Sequence, residues 1–371
     1  GPAHEIATPA YRDELAEMLP RAPGSSVLAV GSGRSYGDCC LNRGGSLIDM
    51  TRLDRLIAFD AGAGTVEAEA GLTIGALLGV IVPKGWFLAT TPGTRFVTLG
   101  GAVANDVHGK NHHGAGSIGC SLSQLELLRS DGRHHTLDAA DPSDLLRATI
   151  GGLGLTGAIT SVRLQLAPIK SAFLEVDRVA FGNIAEFFPL ASGAGAFEHT
   201  VAWIDCAAGG ADLGRGIFQR GRWLDDGCLV AHDDRTVLTV PVRAPELLLN
   251  GLTVRLFNAL YYRLQKSGES RQRVHYAPFF HPLDAIGQWN LLYGRRGLFQ
   301  YQGVVPSTAA EAAIPELLRQ IAQSGAGSFL AVLKTLGPRR SPGMLSFSIR
   351  SRLAASSIKS IALSGRNRSA M

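Results

Sequence analysis

Cysteine, charge and long apolar runs are all scarce in this 371-residue sequence, and each shortage excludes a class of protein. Five cysteines, an odd number in a long chain, do not suggest a disulfide framework and fit a reducing compartment. Charged residues make up only 18%, with the basic ones scattered rather than grouped. The net charge of +5 and a pI near 9.1 therefore leave room for an anionic ligand or an acidic membrane surface and argue against nucleic acid. No apolar run reaches the ~18 residues of a membrane span. The start, "GPAHEIATPAYRDELAEML", lacks the basic-then-apolar order of a signal peptide, and Gly1-Pro2 has the form of a tag-cleavage scar. The expectation is a cytoplasmic protein, peripheral at a membrane at most.

Glycine, by contrast, is abundant at 45 residues, which indicates many tight turns or backbone brought close to a ligand. The length suits two domains, and 46% hydrophobic residues suit well-filled cores. "SSVLAV" and "GSLIDM" read as short strands and "GTVEAEAG" alternates as a strand does. "TIGALLGVIVPKG" reads as a helix begun by Thr73 and ended before Pro83. "LSQLELLRSDGRHHTLD" is a strand, an Asp-Gly turn and a second strand, and "PSDLLRATIGG" opens a helix with Ser143 as N-cap. "GLTGAITSVRLQLAPI" closes an α+β domain near residue 168 with a long alternating strand.

The second half changes texture. It holds three of the four tryptophans and an aromatic cluster in "HYAPFFHPLDAIGQWN". The strand "FQYQGVVP", the helix "TAAEAAIPELLRQIAQSG" and the strand "SFLAVLKTLG" follow, an order that suits a second α+β domain, 169–347, with an antiparallel sheet. Residues 348–371, rich in serine and arginine with weak patterning, read as an atypical tail.

Three glycine loops lie in the first half. "LAVGSGRSYGD" sets Gly31, Gly33 and Gly37 directly after a strand, where bare amides can surround a phosphate. Asp49 stands near the ribose-binding distance of a Rossmann motif, but "DCCLNRGG" is a poor helix, so that reading fails on context. "TPGTRFVTLGGAVANDVHGKNHHGAG" packs six glycines and three histidines into 26 residues, and "TIGGLGLTG" supplies Gly151, Gly152, Gly154 and Gly157. Three such loops in one domain exceed what turns require. They suggest a long ligand with its diphosphate against backbone amides, as a flavin dinucleotide needs.

"GSGRSYGD", "PGTRFVTLGGAVANDVHGKNHH" and "GGLGLTG" resemble the flavin-binding motifs of vanillyl-alcohol-oxidase-type FAD enzymes. With "FFHPLDAIGQWN", "FQYQGVVP" and "LAVLKTLGPR", they closely resemble the decaprenylphosphoryl-β-D-ribose 2-oxidase family, from about Ser25 to Phe347. The resemblance implies a two-domain α+β fold: an FAD-binding domain, 1–168, and a substrate domain whose antiparallel sheet covers the isoalloxazine ring. It implies oxidation of the ribose 2-hydroxyl of a polyprenyl-phosphate sugar, a lipid-borne substrate met at a membrane surface, and a partner reductase. A soluble oxidase of polyols or aldonolactones, or a catalytically impaired flavin-binding protein, is the competing expectation.

Carried over by the resemblance, the first loop would hold the diphosphate through Gly31, Ser32, Gly33, Arg34, Ser35, Tyr36 and Gly37. Gly93, Thr98, Gly100, Gly101, Asn105, Val107 and His108 would surround the rest of FAD, and Ile159 would complete the cradle. Where many relatives in the wider superfamily attach flavin through a histidine, this chain has Arg34, so FAD is expected to be noncovalent.

Alcohol oxidation needs the carbinol close to the ring and a group that takes the hydroxyl proton. By resemblance, His108, Lys110 and Lys334 are the catalytic candidates, with Lys110 and Lys334 flanking the flavin from different domains. Gln300 and Gln302 alternate with Tyr301 in a strand, so both amides share a face, which the resemblance lays over the substrate. Tyr36, Phe280, His281 and Trp289 are further wall candidates, Phe280 standing where the family often has tyrosine. His112 and His113 read as loop histidines bonded to backbone, and no H-E-x-x-H pattern supports a zinc site, so no metal is expected. After "MLSF" the family continues with a strand bearing an asparagine and a cysteine and then a catalytic lysine, for which "SIRSRLAASSIKSIALSGRNRSAM" has no recognisable counterpart.

Overall fold

Residues 5–19, 24–233, 238–245, 250–266, 270–295, 297–325, 327–346 and 355–363 are described in the structure, a computed structural model. A small parallel sheet comes first, with β1 (Glu5–Ala7) and β2 (Val27–Val30) on either side of β3 (Ser46–Asp49). The valine-rich β2 delivers the chain straight into Gly31.

A six-stranded antiparallel sheet follows, made of β4 (Leu56–Asp60), β5 (Thr65–Glu69), β6 (Trp86–Leu88), β7 (Leu122–Leu128), β8 (His134–Asp138) and β9 (Ala158–Pro168). Its order is β4-β5-β9-β7-β8, with β6 also on β9. The Asp131-Gly132 turn joins β7 to β8: Gly132 has φ +78°, and the Asp131 carboxylate accepts from the Arg133 N–H at 3.0 Å. Helix α1 (Ile74–Ile81) is capped by Thr73, whose hydroxyl accepts from the Ala76 N–H at 3.2 Å, and it ends before Pro83. Short helices α2 (Leu99–Ala104) and α3 (His112–Ala115) lie within the histidine-bearing segment, and α4 (Asp144–Thr149) is capped by Ser143. Leu77, Leu78 and Ile81 of α1 pack with Leu125 and Leu164 in one fully buried core. Each such side chain contributes about 1.5–3 kcal/mol on leaving water.

The second sheet is antiparallel throughout, in the order β14-β10-β12-β11-β17-β18-β16. Its strands are β10 (Phe173–Phe181), β11 (His199–Ile204), β12 (Gly216–Trp223), β14 (Arg271–His275), β16 (Leu298–Pro306), β17 (Ala331–Leu336) and β18 (Ala355–Leu363). A parallel pair, β13 (Leu238–Thr239) and β15 (Ile286–Gly287), lies outside it. Helices α5 (Ile184–Ser192), α6 (Gly251–Lys266), α7 (Tyr276–Phe280) and α8 (Ser307–Ser324) complete the chain, and Phe187 of α5 and Ile314 and Leu318 of α8 form a second core with Phe218. The architecture is the α+β two-domain one.

The segment read as a poorly patterned tail differs from expectation. Residues 355–363 form a strand paired on both sides, with β16 and with β17. A strand inserted between two others is held by its ladders, so weak side-chain alternation did not reveal it. Residues 348–354 and 364–371 of that segment, and Phe347 just before it, lie outside the described residues.

Candidate active site

The three glycine loops meet because each uses missing side chains to approach another. A Cβ on Gly31 would stand 2.2 Å from the Thr98 hydroxyl, which caps α2 by accepting from the Gly101 N–H at 3.3 Å. Gly100 lies against Ala70, where a Cβ would meet the methyl at 2.7 Å. The third loop is tied to the end of α2, with the Gly151 N–H on the Val103 carbonyl and the Leu153 N–H on that of Ala104, while Gly154 packs on Leu28 and Ala29 of β2. Gly33 and Gly37 have φ of +60° and +75° with open space where a Cβ would be. Gly93 also faces open space. The result is an exposed loop over 33–39 in which Gly33 and Gly37 leave the backbone open to a ligand such as a diphosphate.

The carried-over residues take different positions around it. Arg34 lies over the Phe96 ring at 5.2 Å, and Ser32 and Ser35 sit in the same loop. Tyr36 keeps 36% of its surface exposed, and the partial desolvation of its phenol raises it above the usual range. Asn105 ends α2 with its amide on the Gly101 carbonyl at 2.8 Å, and Val107 is half-buried against the first core. Ile159 is a β9 core residue, its side chain packed away from solvent.

Beyond α2 the chain is clamped to the second sheet. Asp106, buried at φ +41°, accepts from the Gly119 N–H at 2.9 Å. The Lys110 carbonyl accepts from the Thr200 N–H of β11 at 2.8 Å, and the His113 ring lies 3.0 Å from the Phe197 carbonyl. Gly337 comes so close that a Cβ would stand 2.1 Å from the His113 carbonyl oxygen, and its N–H reaches the His112 ring at 3.3 Å. Both histidines thus bond to backbone, as the sequence suggested. Burial, then the charge of Lys334, lowers His112 to about 4.

His108 sits where the two sheets meet. Lys334 of β17 places its Nζ 3.2 Å from the His108 Nδ1 and 3.4 Å from the Gly109 carbonyl, while the Gln302 side-chain nitrogen lies 3.4 Å from Nε2. An ammonium only donates, so Nδ1 accepts and the ring proton rests on Nε2. Gln302 then meets that proton with its amide oxygen, its amide turned end for end. Gln300 shares this face and has its carbonyl oxygen buried, whereas Tyr301 between them is 55% exposed.

Lys110 goes elsewhere. Its amine donates to the Phe279 carbonyl at 2.5 Å and lies 4.6 Å from the Phe279 ring centre, and burial lowers it to about 8. The structure therefore brings His108, Gln302 and Lys334 together and turns Lys110 toward an aromatic shell. Phe280 belongs to that shell, only 2% exposed, packed on Phe87, His199 and Trp223. His281, equally buried, is lowered to about 3 by burial and then by the charges of Arg95 and Lys110. Trp289 is half-buried and meets Tyr293 edge-on at 6.0 Å.

Two features escaped the sequence. Buried Arg95, from the second loop, gives its N–H to the Asp284 carboxylate at 2.8 Å and holds its guanidinium 4.0 Å away, and burial raises Asp284. His199, buried beside Lys110 and Phe280, is lowered to about 3 by burial and then by the Lys110 charge. The first pair joins residues far apart in sequence, and a lone strand histidine carries no signal. All five cysteines are free thiols. Among the described residues no group of three His, Cys, Asp or Glu side chains is set to hold a metal, and no helix is long and apolar enough to cross a membrane.

The FAD binding domain family matches residues 3–138. Decaprenylphosphoryl-β-D-ribose oxidase of Mycolicibacterium smegmatis is 39% identical over 85% of this chain and 70% of its own length. The chain belongs to that family. It is an FAD-dependent oxidoreductase acting on CH–OH groups, and the open space at Gly33, Gly37 and Gly93 leaves room for the cofactor. An uncharacterised Streptomyces coelicolor protein is 31% identical over 75% of the chain and 78% of its own length. L-gulono-1,4-lactone dehydrogenase of Mycobacterium tuberculosis is 31% identical over only 44% of the chain and 38% of its own length. The likeness to lactone enzymes is thus the shorter one.

Proposed function

We propose that the chain oxidises the ribose 2-hydroxyl of a polyprenyl-phosphate ribose to a ketone, with FAD bound noncovalently and the product passed to a partner reductase. The observation that carries this reading is the His108–Lys334–Gln302 cluster, which joins the histidine-bearing loop to the substrate sheet in a member of the decaprenylphosphoryl-β-D-ribose oxidase family. The flavin-binding part ends near residue 168, with β9 the last strand of the six-stranded sheet, and the substrate part, put at 169–347 by the sequence, is extended by β18.

Bound FAD would supply the hydride acceptor for the carbinol carbon. The chain's own residues handle the proton. Lys334 meets the hydroxyl oxygen and takes its proton as it passes one of its own to His108 Nδ1, leaving the lysine charged and the imidazole protonated on both nitrogens. The retained ammonium also stabilises alkoxide character as the carbon–hydrogen bond breaks. Gln302 holds the ring by its other nitrogen, and Gln300, with a buried carbonyl oxygen on the same face, is placed to receive a sugar hydroxyl.

The test is anaerobic bleaching of the flavin by polyprenyl-phosphate ribose against simple polyols and L-gulono-1,4-lactone. Rapid bleaching by the lipid sugar alone is expected. Bleaching by the lactone and not the lipid sugar would overturn the substrate assignment. Acid precipitation should leave the yellow colour in the supernatant, since Arg34 offers no linking nitrogen nucleophile.

A further inference from the structure

Helix α6 has two faces with unrelated duties. Its inner face fixes it to the second sheet. Val254, Asn258 and Tyr262 are buried there, the Asn258 amide donating to the Asp205 carboxylate at 2.8 Å and to the Ser328 carbonyl at 3.1 Å, and the Tyr262 hydroxyl donating to the Phe181 carbonyl at 3.2 Å. The outer face holds Leu252 (66% exposed), Leu256 (62%), Leu260 (58%) and Leu264 (61%), spaced every four residues, with Phe257 (51%) beside them. Such spacing makes one continuous stripe along the helix. These leucines do not anchor the helix, and they leave most of their apolar surface in water.

The charges decide what covers the stripe. Arg255, Arg263 and Lys266 lie on α6, and the helix contains no acidic residue. A second copy of this chain docking face to face would bring like charges together. An anionic lipid surface suits both halves of the pattern, since leucines enter the acyl boundary while basic side chains meet the head groups. We propose that α6 lies in the interface of an anionic membrane and holds the enzyme on it. This deepens the proposed function, in that a lipid-borne substrate would be met at that surface, but it stands on α6 alone.

Vesicle sedimentation of the flavin-loaded protein tests it, using equal parts phosphatidylglycerol and phosphatidylcholine against phosphatidylcholine alone. Binding is expected to the anionic vesicles. The double variant Leu256→Glu, Leu260→Glu should need at least about tenfold more lipid for half-binding. Arg255→Gln and Arg263→Gln should each need about fivefold more, with weaker salt dependence. The substituted leucines are over half exposed, and retained flavin absorbance and far-UV circular dichroism report an intact fold. No sedimentation of the parent protein would overturn the proposal, as would leucine variants that sediment as the parent does. A solution dimer that the leucine variant dissociates, without any change in vesicle binding, would assign the face to self-association instead. Vesicle binding without bleaching by the lipid sugar leaves the docking standing and removes the substrate reading, and the converse result does the opposite.

Discussion

On one side of the junction the first sheet's loops present glycine, with Gly31, Gly33, Gly37 and Gly100 stripping the backbone so that amides and neighbouring segments come close. On the other side the second sheet presents side chains at strand spacing, with Gln300 and Gln302 from β16 and Lys334 from β17. The glycine side is shaped by close backbone approach, and the strand side carries the amide and ammonium groups. His108 is where they touch, a loop residue of the first half whose Nδ1 accepts from Lys334 and whose Nε2 faces Gln302. A loop that binds a dinucleotide through its backbone gains little from reactive side chains, whereas a sheet can aim several side chains at one point from a rigid frame.

The comparison breaks most visibly at Lys334. Lys334→Ala should slow anaerobic flavin reduction by roughly 10²-fold to 10⁴-fold, the range of a lost acid-base group, while the protein stays yellow. Lys110→Ala should slow it far less, because that amine is spent on the Phe279 carbonyl. Stopped-flow reduction of both variants separates them. The reverse ranking would move the chemistry to the aromatic shell around Phe280.

Much of the glycine side could be read from sequence because its determinants are local. Thr73 and Ser143 cap the helices they were expected to cap, the Asp131-Gly132 turn forms, and all three glycine loops were visible as spacing. The strand side was legible only in part. Gln300, Gln302 and Lys334 stood out as polar residues in strands, but their convergence on His108 depends on long-range sheet order, as does the insertion of β18 between β16 and β17. The turning of Lys110 toward Phe279, and the meeting of Arg95 with Asp284, likewise depend on chain segments that only folding brings together.

Lys110 sharpens the comparison through stability. Its amine titrates at about 8 in the fold against an ordinary 10.5, because burial disfavours the charged form. Between those values the unfolded chain binds more protons, so stability rises with pH across that window, and below pH 8 the full penalty persists. Lys110→Met should therefore stabilise the protein at neutral pH, by at most about 3 kcal/mol less the lost hydrogen bond, with the gain fading toward pH 10.5. Urea melts at pH 7 and pH 10 measure it. A gain independent of pH would mean that packing, not charge burial, is responsible.

The smallest expected effect belongs to Gln302, and it tests whether the strand side positions as well as reacts. Its amide holds the His108 ring by one nitrogen while Lys334 engages the other. A neutral hydrogen bond of this kind is worth about 0.5–1.5 kcal/mol, so Gln302→Ala should slow flavin reduction by roughly 2-fold to 10-fold. Because the ring would then be free to rotate, the loss should fall on kcat more than on KM, and Gln302→Glu should restore much of it, a carboxylate accepting the same Nε2 proton. If Gln302 merely supported the sheet, the glutamate would restore nothing and the slowing would be matched by a fall in melting temperature. An unchanged kcat with a raised KM would instead place the amide on the sugar and leave Lys334 alone to orient the ring.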